Sequence, residues 1–179
     1  MSQQLVNQYL AEIDKLRKFS GLTNELVIRG AFRRMLDTWA TANKLVFLDE
    51  FPHQTPMKTT VYPDGTVLHD IRVALGYWEA KDTKDDLDEE IRKKLAKGYP
   101  QDNIIFENSE TAVLIQNRQE VMRASMTDTA DLLRLVSLFF SYERAEIAEF
   151  RNAVEQFKAD LPAVLDALRG RINTAYTDN

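Results

Sequence analysis

Val67-Leu-His-Asp70-Ile-Arg-Val-Ala-Leu-Gly76-Tyr-Trp-Glu79-Ala-Lys81-Asp82 is the segment on which the architecture turns. Successive side chains of a strand point to opposite faces, so Glu79 and Lys81 share one face while Trp78, Ala80 and Asp82 share the other. A two-residue turn at Leu75-Gly76, with Gly76 at a position needing positive φ, sets Ala74 opposite Tyr77, Arg72 opposite Glu79 and Asp70 opposite Lys81. Asp70, Glu79 and Lys81 then occupy one face, two carboxylates and an ammonium able to hold a hard divalent cation. A one-residue slip in register would send Asp70 to the other face.

The chain has 179 residues, 44% of them hydrophobic, which suits one domain with a core that needs no cross-links. It has no cysteine, which excludes disulfides, thiolate metal sites and a cysteine nucleophile. Only His53 and His69 are present, too few for a histidine-rich centre, so an oxygen-ligated cation such as Mg²⁺ is the expected metal. The N-terminus lacks a basic segment followed by an apolar stretch, and nowhere do 18 apolar residues run together. A soluble, cytoplasmic protein without membrane contact is expected. A net charge of −5 is awkward for a protein that grips nucleic acid alone, because phosphate contacts supply most non-specific affinity. Either the charge is unevenly spread or another part of a larger polypeptide supplies the grip.

Leu5, Tyr9, Leu10, Ile13 and Leu16 recur at helical spacing between Ser2 and Phe19, with a break at Ser20-Gly21. Thr23 or Asn24 can cap a second helix carrying Leu26, Val27, Ala31, Phe32, Met35, Leu36 and Trp39. Lys44–Glu50 and Thr59–Tyr62 read as strands, with Pro63-Asp64-Gly65-Thr66 a strong turn signal. Lys84–Lys97, with Leu87, Ile91 and Leu95, reads as a helix stopped by Gly98, and Asn103–Phe106 and Thr111–Ile115 as two further strands. From Thr127, a cap, the pattern is helical. Leu132–Phe140 and Arg144–Lys158 lead to a last helix that has Asp160 as its cap and Pro162 near its start. The predicted fold is α/β, a central mixed β-sheet flanked by helices with a helical C-terminal extension, divided into a core at 1–125 and C-terminal helices at 126–179. Those helices either pack on the core or connect toward further sequence.

Glu79-Ala-Lys81 alone is a weak signal, since an E-x-K triplet arises by chance roughly once in a chain of this length. The longer string carries more. Asp70 followed by Glu79-Ala-Lys81 resembles the PD-(D/E)xK nuclease signature. Gly76-Tyr-Trp-Glu-Ala-Lys-Asp82, with Asp85-Asp-Leu-Asp-Glu-Glu-Ile91 and Asn103-Ile-Ile-Phe-Glu-Asn108, resembles the N-terminal nuclease domain of type ISP, single-polypeptide restriction-modification enzymes. The resemblance spans most of residues 20–120 and is weaker over the terminal helices. It implies a restriction-endonuclease-like core and a Mg²⁺-dependent DNA endonuclease acting on double-stranded DNA as the non-specific cleavage module of an ATP-dependent enzyme. Translocase, methyltransferase and target-recognition domains would follow in the same polypeptide. Within that pattern Asp70 and Glu79 supply carboxylate oxygens to Mg²⁺, and the Ala80 carbonyl is a further ligand. Lys81 orients the attacking water and offsets developing negative charge.

Other residues have competing readings. Asp64 forms a literal Pro-Asp pair, yet it falls in a turn and, in the expected register, beyond the end of the Glu79 strand. Glu25 resembles the acidic residue that related nucleases bring from their first core helix, and equally suits a helix N-terminus. Gln116, after the last strand, can contact the site or simply be solvated. Lys84, Arg92, Lys93, Lys94 and Lys97 are interspersed with acidic residues and read first as a solvated, salt-bridged helix; they, Arg118 and Arg123 can also meet phosphates. Tyr77 and Trp78 read as core aromatics before base-stacking ones. A catalytically silent nuclease fold serving interaction or DNA positioning is the alternative, and would leave the trio apart or unable to bind a cation. No Gly-Lys-Ser/Thr phosphate loop is present, so any ATP-driven step lies elsewhere.

Overall fold

The computed structural model describes residues 2–20, 25–143 and 145–177, with backbone alone at positions 2, 17, 19, 20, 25–27, 145–148, 150, 151 and 174–177. The expected cap residues Thr23 and Asn24 lie outside the described residues. The first unit, residues 1–142, begins with helices α1 (Ser2–Ser20) and α2 (Glu25–Ala42). Their helical spacing buries Val6, Tyr9 and Ile13 from α1 and Ile28, Phe32, Met35, Leu36 and Trp39 from α2.

Six strands form one sheet in the order β1-β4-β5-β6-β7-β8. These are β1 (Val46–Asp49), β4 (Gly65–Leu68), β5 (Ala74–Ala80), β6 (Asn103–Glu107), β7 (Thr111–Gln116) and β8 (Gln119–Ser125). A two-stranded ribbon, β2 (His53–Gln54) with β3 (Thr60–Val61), lies between β1 and β4 in sequence. Only the β5–β6 pair is parallel, because α3 (Leu87–Ala96) carries the chain across between them. Asp86 caps α3 by accepting the Asp88 and Glu89 amides. The architecture is therefore the α/β class expected, a mixed sheet flanked by helices.

Two apolar layers sandwich the sheet. Trp78, Ala80, Ile105 and Leu114 face α1, α2 and α4 (Thr129–Phe140), whereas Tyr77, Ile104, Phe106 and Val113 meet Leu87 and Ile91 of α3. The cap of α4 is Asp128, which accepts the Asp131 amide, one residue beyond the expected Thr127. Leu132, Leu135, Val136 and Phe139 bind α4 into the first core. The compact unit consequently runs through α4 to residue 142.

The second unit, residues 143–179, is built on α5 (Ala145–Thr177), a continuous helix with Pro162 in its interior. Two helices were expected there, with Asp160 as a cap. Proline deletes one backbone donor but leaves the following hydrogen bonds to carry the helix on. Among the described residues no helix is long and apolar enough to cross a membrane.

The hairpin differs from expectation in a way that relocates the site. Tyr77 pairs with Thr66, Trp78 with Gly65 and Val67 with Gly76, so the turn is the segment 69–73 and not Leu75-Gly76. The His69 amide bonds the Val73 carbonyl, the Arg72 amide bonds the His69 carbonyl, and Arg72 itself takes the left-handed conformation at φ 61°. Leu68 pairs with Ala74, which leaves Leu75 as the extra residue of a bulge. Gly76 sits within β5 for space: a Cβ there would come within 2.6 Å of Asn103 Nδ2 and of the Phe139 ring.

Candidate active site

The C-terminal end of β5 carries Glu79, and Lys81 follows one residue past the strand with its amide still bonded to the Glu107 carbonyl. Glu79 is only 2% exposed, and Lys81 Nζ meets its Oε1 at 2.6 Å. Continuing the β4–β5 register one residue outward from the Gly65–Trp78 pair sets Asp64 level with Glu79. The contacts agree. The Asp64 amide approaches Glu79 Oε2 at 3.4 Å, and the Ala80 amide donates to Asp64 Oδ2 at 2.8 Å. Arg29 of α2 forms an ion pair with the other Asp64 oxygen, Oδ1. Burial raises the Asp64 pKa above the usual carboxylate range and the charge of Glu79 adds to this, against the Ala80 amide, Arg29 and Lys81.

A third cation comes from the crossover helix. Lys94 Nζ lies 2.5 Å from Glu79 Oε1, the same oxygen that Lys81 contacts. It also donates to Tyr99 Oη at 2.9 Å and stands 4.6 Å from the centroid of that ring. The Tyr99 hydroxyl in turn donates to the Tyr62 carbonyl. Burial, reinforced by Glu79, pushes the Tyr99 pKa up to about 12, so the phenol stays protonated.

Behind the site, on the Ala80 face, Glu107 is fully buried and pairs with Ala80 across the parallel ladder. Its backbone carbonyl accepts the Lys81 amide at 2.7 Å and its Oε2 accepts the Ser109 amide at 2.6 Å. Oε1 has no hydrogen-bond partner among the described residues, nor has Trp78 Nε1. Burial raises the Glu107 pKa to about 7; the Ser109 amide and the nearby Trp78 indole, which closes no hydrogen bond of ordinary geometry, oppose the shift.

The structure thus separates the expected trio. Asp70 lies exposed in the turn at the far end of the hairpin, roughly 16 Å of strand from the level of Glu79. Asp64 takes the place expected of Asp70, because the turn falls at 69–73, earlier in the chain than Leu75-Gly76 suggested. Glu79, Ala80 and Lys81 stay together. The Glu25 side chain lies outside the described residues. Gln116 is paired with Asn103 at the opposite end of β6, where its amide donates to Asn103 Oδ1 and to the Leu138 carbonyl. It serves the packing of α4 and does not meet Glu79.

Arg29, Tyr99 and Glu107 were not singled out as site residues, and Lys94 was named only within a run of basic residues able to meet phosphates. Lys94 was hidden in a charge run, although it stands three residues after Ile91 and hence on the helix face that meets the sheet. Lys93, its neighbour, pairs with Glu89 and Glu90 on the exposed side as the run suggested.

Among the described residues no three His, Asp or Glu side chains converge as a ready-made metal cage. The donors that do converge are two carboxylates and a peptide carbonyl. Within a strand the N–H and C=O of one residue point to the same edge, so the Ala80 carbonyl is directed to the side where its amide meets Asp64. This set fits Mg²⁺, which characteristically takes one or two carboxylates and leaves its other positions to water and phosphate.

The chain is similar to DrdV. That protein was solved by electron cryo-microscopy as a complex with DNA. The match has 42% sequence identity and a TM-score of 0.84, and it covers 98% of this chain but 17% of the DrdV chain. A DUF820 protein from Anabaena variabilis superposes at 10% identity and a TM-score of 0.46, over 64% of this chain and 83% of its own, a likeness too slight to bear on function. No protein-family model matches the chain, and no curated protein does.

Proposed function

We propose that this chain is a Mg²⁺-dependent DNA endonuclease domain of the PD-(D/E)xK type that hydrolyses phosphodiester bonds in double-stranded DNA. The observation that carries the proposal is the convergence of Asp64, Glu79 and Lys81 at one strand end, with the Ala80 amide clamping Asp64. Asp64 replaces Asp70 as the first carboxylate. Asp64, Glu79 and the Ala80 carbonyl are the residues that would hold Mg²⁺, which when bound polarises the phosphate and offsets its charge.

The protein's own groups do the rest. Glu79 fixes the Lys81 ammonium at the mouth of the site, where it orients the attacking water and stabilises negative charge on the phosphate oxygens. Arg29, Lys81 and Lys94 set three cations against two carboxylates, so this corner attracts phosphate although the whole chain is acidic. That local excess is small. A domain so charged depends on larger machinery to bring it to DNA, which agrees with a cleavage module within an ATP-dependent restriction-modification polypeptide. Similarity to a limited part of DrdV, in a protein solved on DNA, supports the same reading.

The test is cleavage of duplex DNA by the natural full-length polypeptide, with Mg²⁺ and the nucleotide its translocase requires. Asp64→Ala and Lys81→Ala should each lower strand breakage by about a hundredfold or more, whereas Asp70→Ala should leave it within about twofold. Equal cleavage by wild type and by folded Asp64→Ala and Lys81→Ala would overturn the proposal in favour of a silent nuclease fold.

A further inference from the structure

Glu79 Oε1 bears two ammonium groups at once, Lys81 at 2.6 Å and Lys94 at 2.5 Å, while Asp64 is tied to Arg29. A divalent cation entering between Asp64 and Glu79 would join three basic side chains and only two carboxylates. Like charges at such spacing repel strongly in a partly desolvated site. One cation must therefore leave Glu79 as the metal arrives.

The two lysines are unequal in their freedom to do so. Lys81 is held by its backbone in the β5–β6 ladder two residues from Glu79, and its side chain is 12% exposed. Lys94 reaches in from α3 and is 20% exposed, and it already has a second resting place in the hydroxyl and ring face of Tyr99. That hydroxyl is anchored on the Tyr62 carbonyl, beside the Pro63-Asp64 bend.

Resting on the nuclease reading above, we propose that Lys94 is a displaceable second lysine of the site. It occupies Glu79 Oε1 before the metal binds, yields that oxygen to the divalent cation, and swings on Tyr99 to contact a phosphate of the substrate. Metal and phosphate binding are thereby coupled. The cation frees the ammonium that phosphate needs, and by linkage phosphate raises affinity for the cation.

The experiment is Mn²⁺ binding to the 179-residue chain, read by electron paramagnetic resonance, with and without a short duplex, together with cleavage by the natural full-length polypeptide. Lys94→Gln should bind Mn²⁺ more tightly than wild type, by about tenfold, because a competing charge is gone. It should lose the tightening that duplex produces in wild type and cleave about tenfold or more slowly. Lys94→Arg should retain part of the cleavage, and Glu89→Gln, on the exposed side of the same helix, should match wild type in every measurement. A folded Lys94→Gln that binds Mn²⁺ no more tightly, or cleaves as wild type does, overturns the role of Lys94. If Glu79→Gln also binds Mn²⁺ as wild type does, the nuclease reading falls with it; if Glu79→Gln weakens Mn²⁺ binding, only the Lys94 inference is lost.

Discussion

Glu107 shows how far one side chain can depart from its ordinary chemistry in this fold. Its pKa is raised from 4.5 to about 7 by burial, so the folded state retains a proton that the unfolded chain gives up near pH 4.5. A raised folded-state value favours folding most at low pH and loses that advantage as pH climbs through the folded value. Between about pH 4.5 and 7 the stability contributed by this group should fall, by on the order of a few kcal/mol, and level off above. Glu107→Gln, which cannot ionise, should flatten that part of the profile and make the protein more stable than wild type above pH 7. Urea unfolding of both proteins across this range is the measurement, and parallel profiles would refute the assignment. At the same scale Asp64 was legible as half of a Pro-Asp pair, but its partner was not. Whether it meets Glu79 depends on where a turn falls some residues away.

At the level of elements, Gly76 ties β5 to β6 and α4. A Cβ at this position would press on Asn103 Nδ2 and the Phe139 ring at 2.6 Å. Gly76→Ala should destabilise the protein by about 1–3 kcal/mol by overpacking, measured by denaturant unfolding. Gly76→Ala with Phe139→Leu should recover part of this loss; no recovery would mean that the ring is not the obstacle. Helices α1 to α3 and strands β1, β6 and β7 were readable because their apolar residues keep helical or strand spacing. Strand β8 was not, since five of its seven residues from Gln119 are exposed or polar and it lies at the sheet edge. The hairpin misled for a different reason. Leu75-Gly76 has the composition of a tight turn, whereas the left-handed position is taken by Arg72, a residue type with no preference for it. Lengthening the 69–73 turn by two glycines should therefore leave Mn²⁺ binding within about twofold, since closing a slightly longer loop costs little. The same insertion after Gly65 should abolish it by breaking the Asp64–Glu79 register.

For the whole molecule, the first unit holds both apolar layers and every described member of the site. Residues 1–142 alone should unfold cooperatively with a Tm within about 5 °C of the full chain, a comparison that circular dichroism can make. A non-cooperative transition would show that α5 is required by the core. Chain connectivity also sets an order in time. The β4–β5 hairpin closes through the short turn 69–73, but β5 and β6 can pair only after residues 81–102, α3 included, have crossed the sheet. Parallel pairing across such a loop is intrinsically slow. In a refolding experiment, mutations at Val67 should slow folding more than mutations at Ile104 of equal effect on stability. A nascent chain would thus pass through a stage in which Asp64, Glu79 and Lys81 are already side by side while α3 has yet to settle over them, a half-built cleft open on the face that Lys94 later guards.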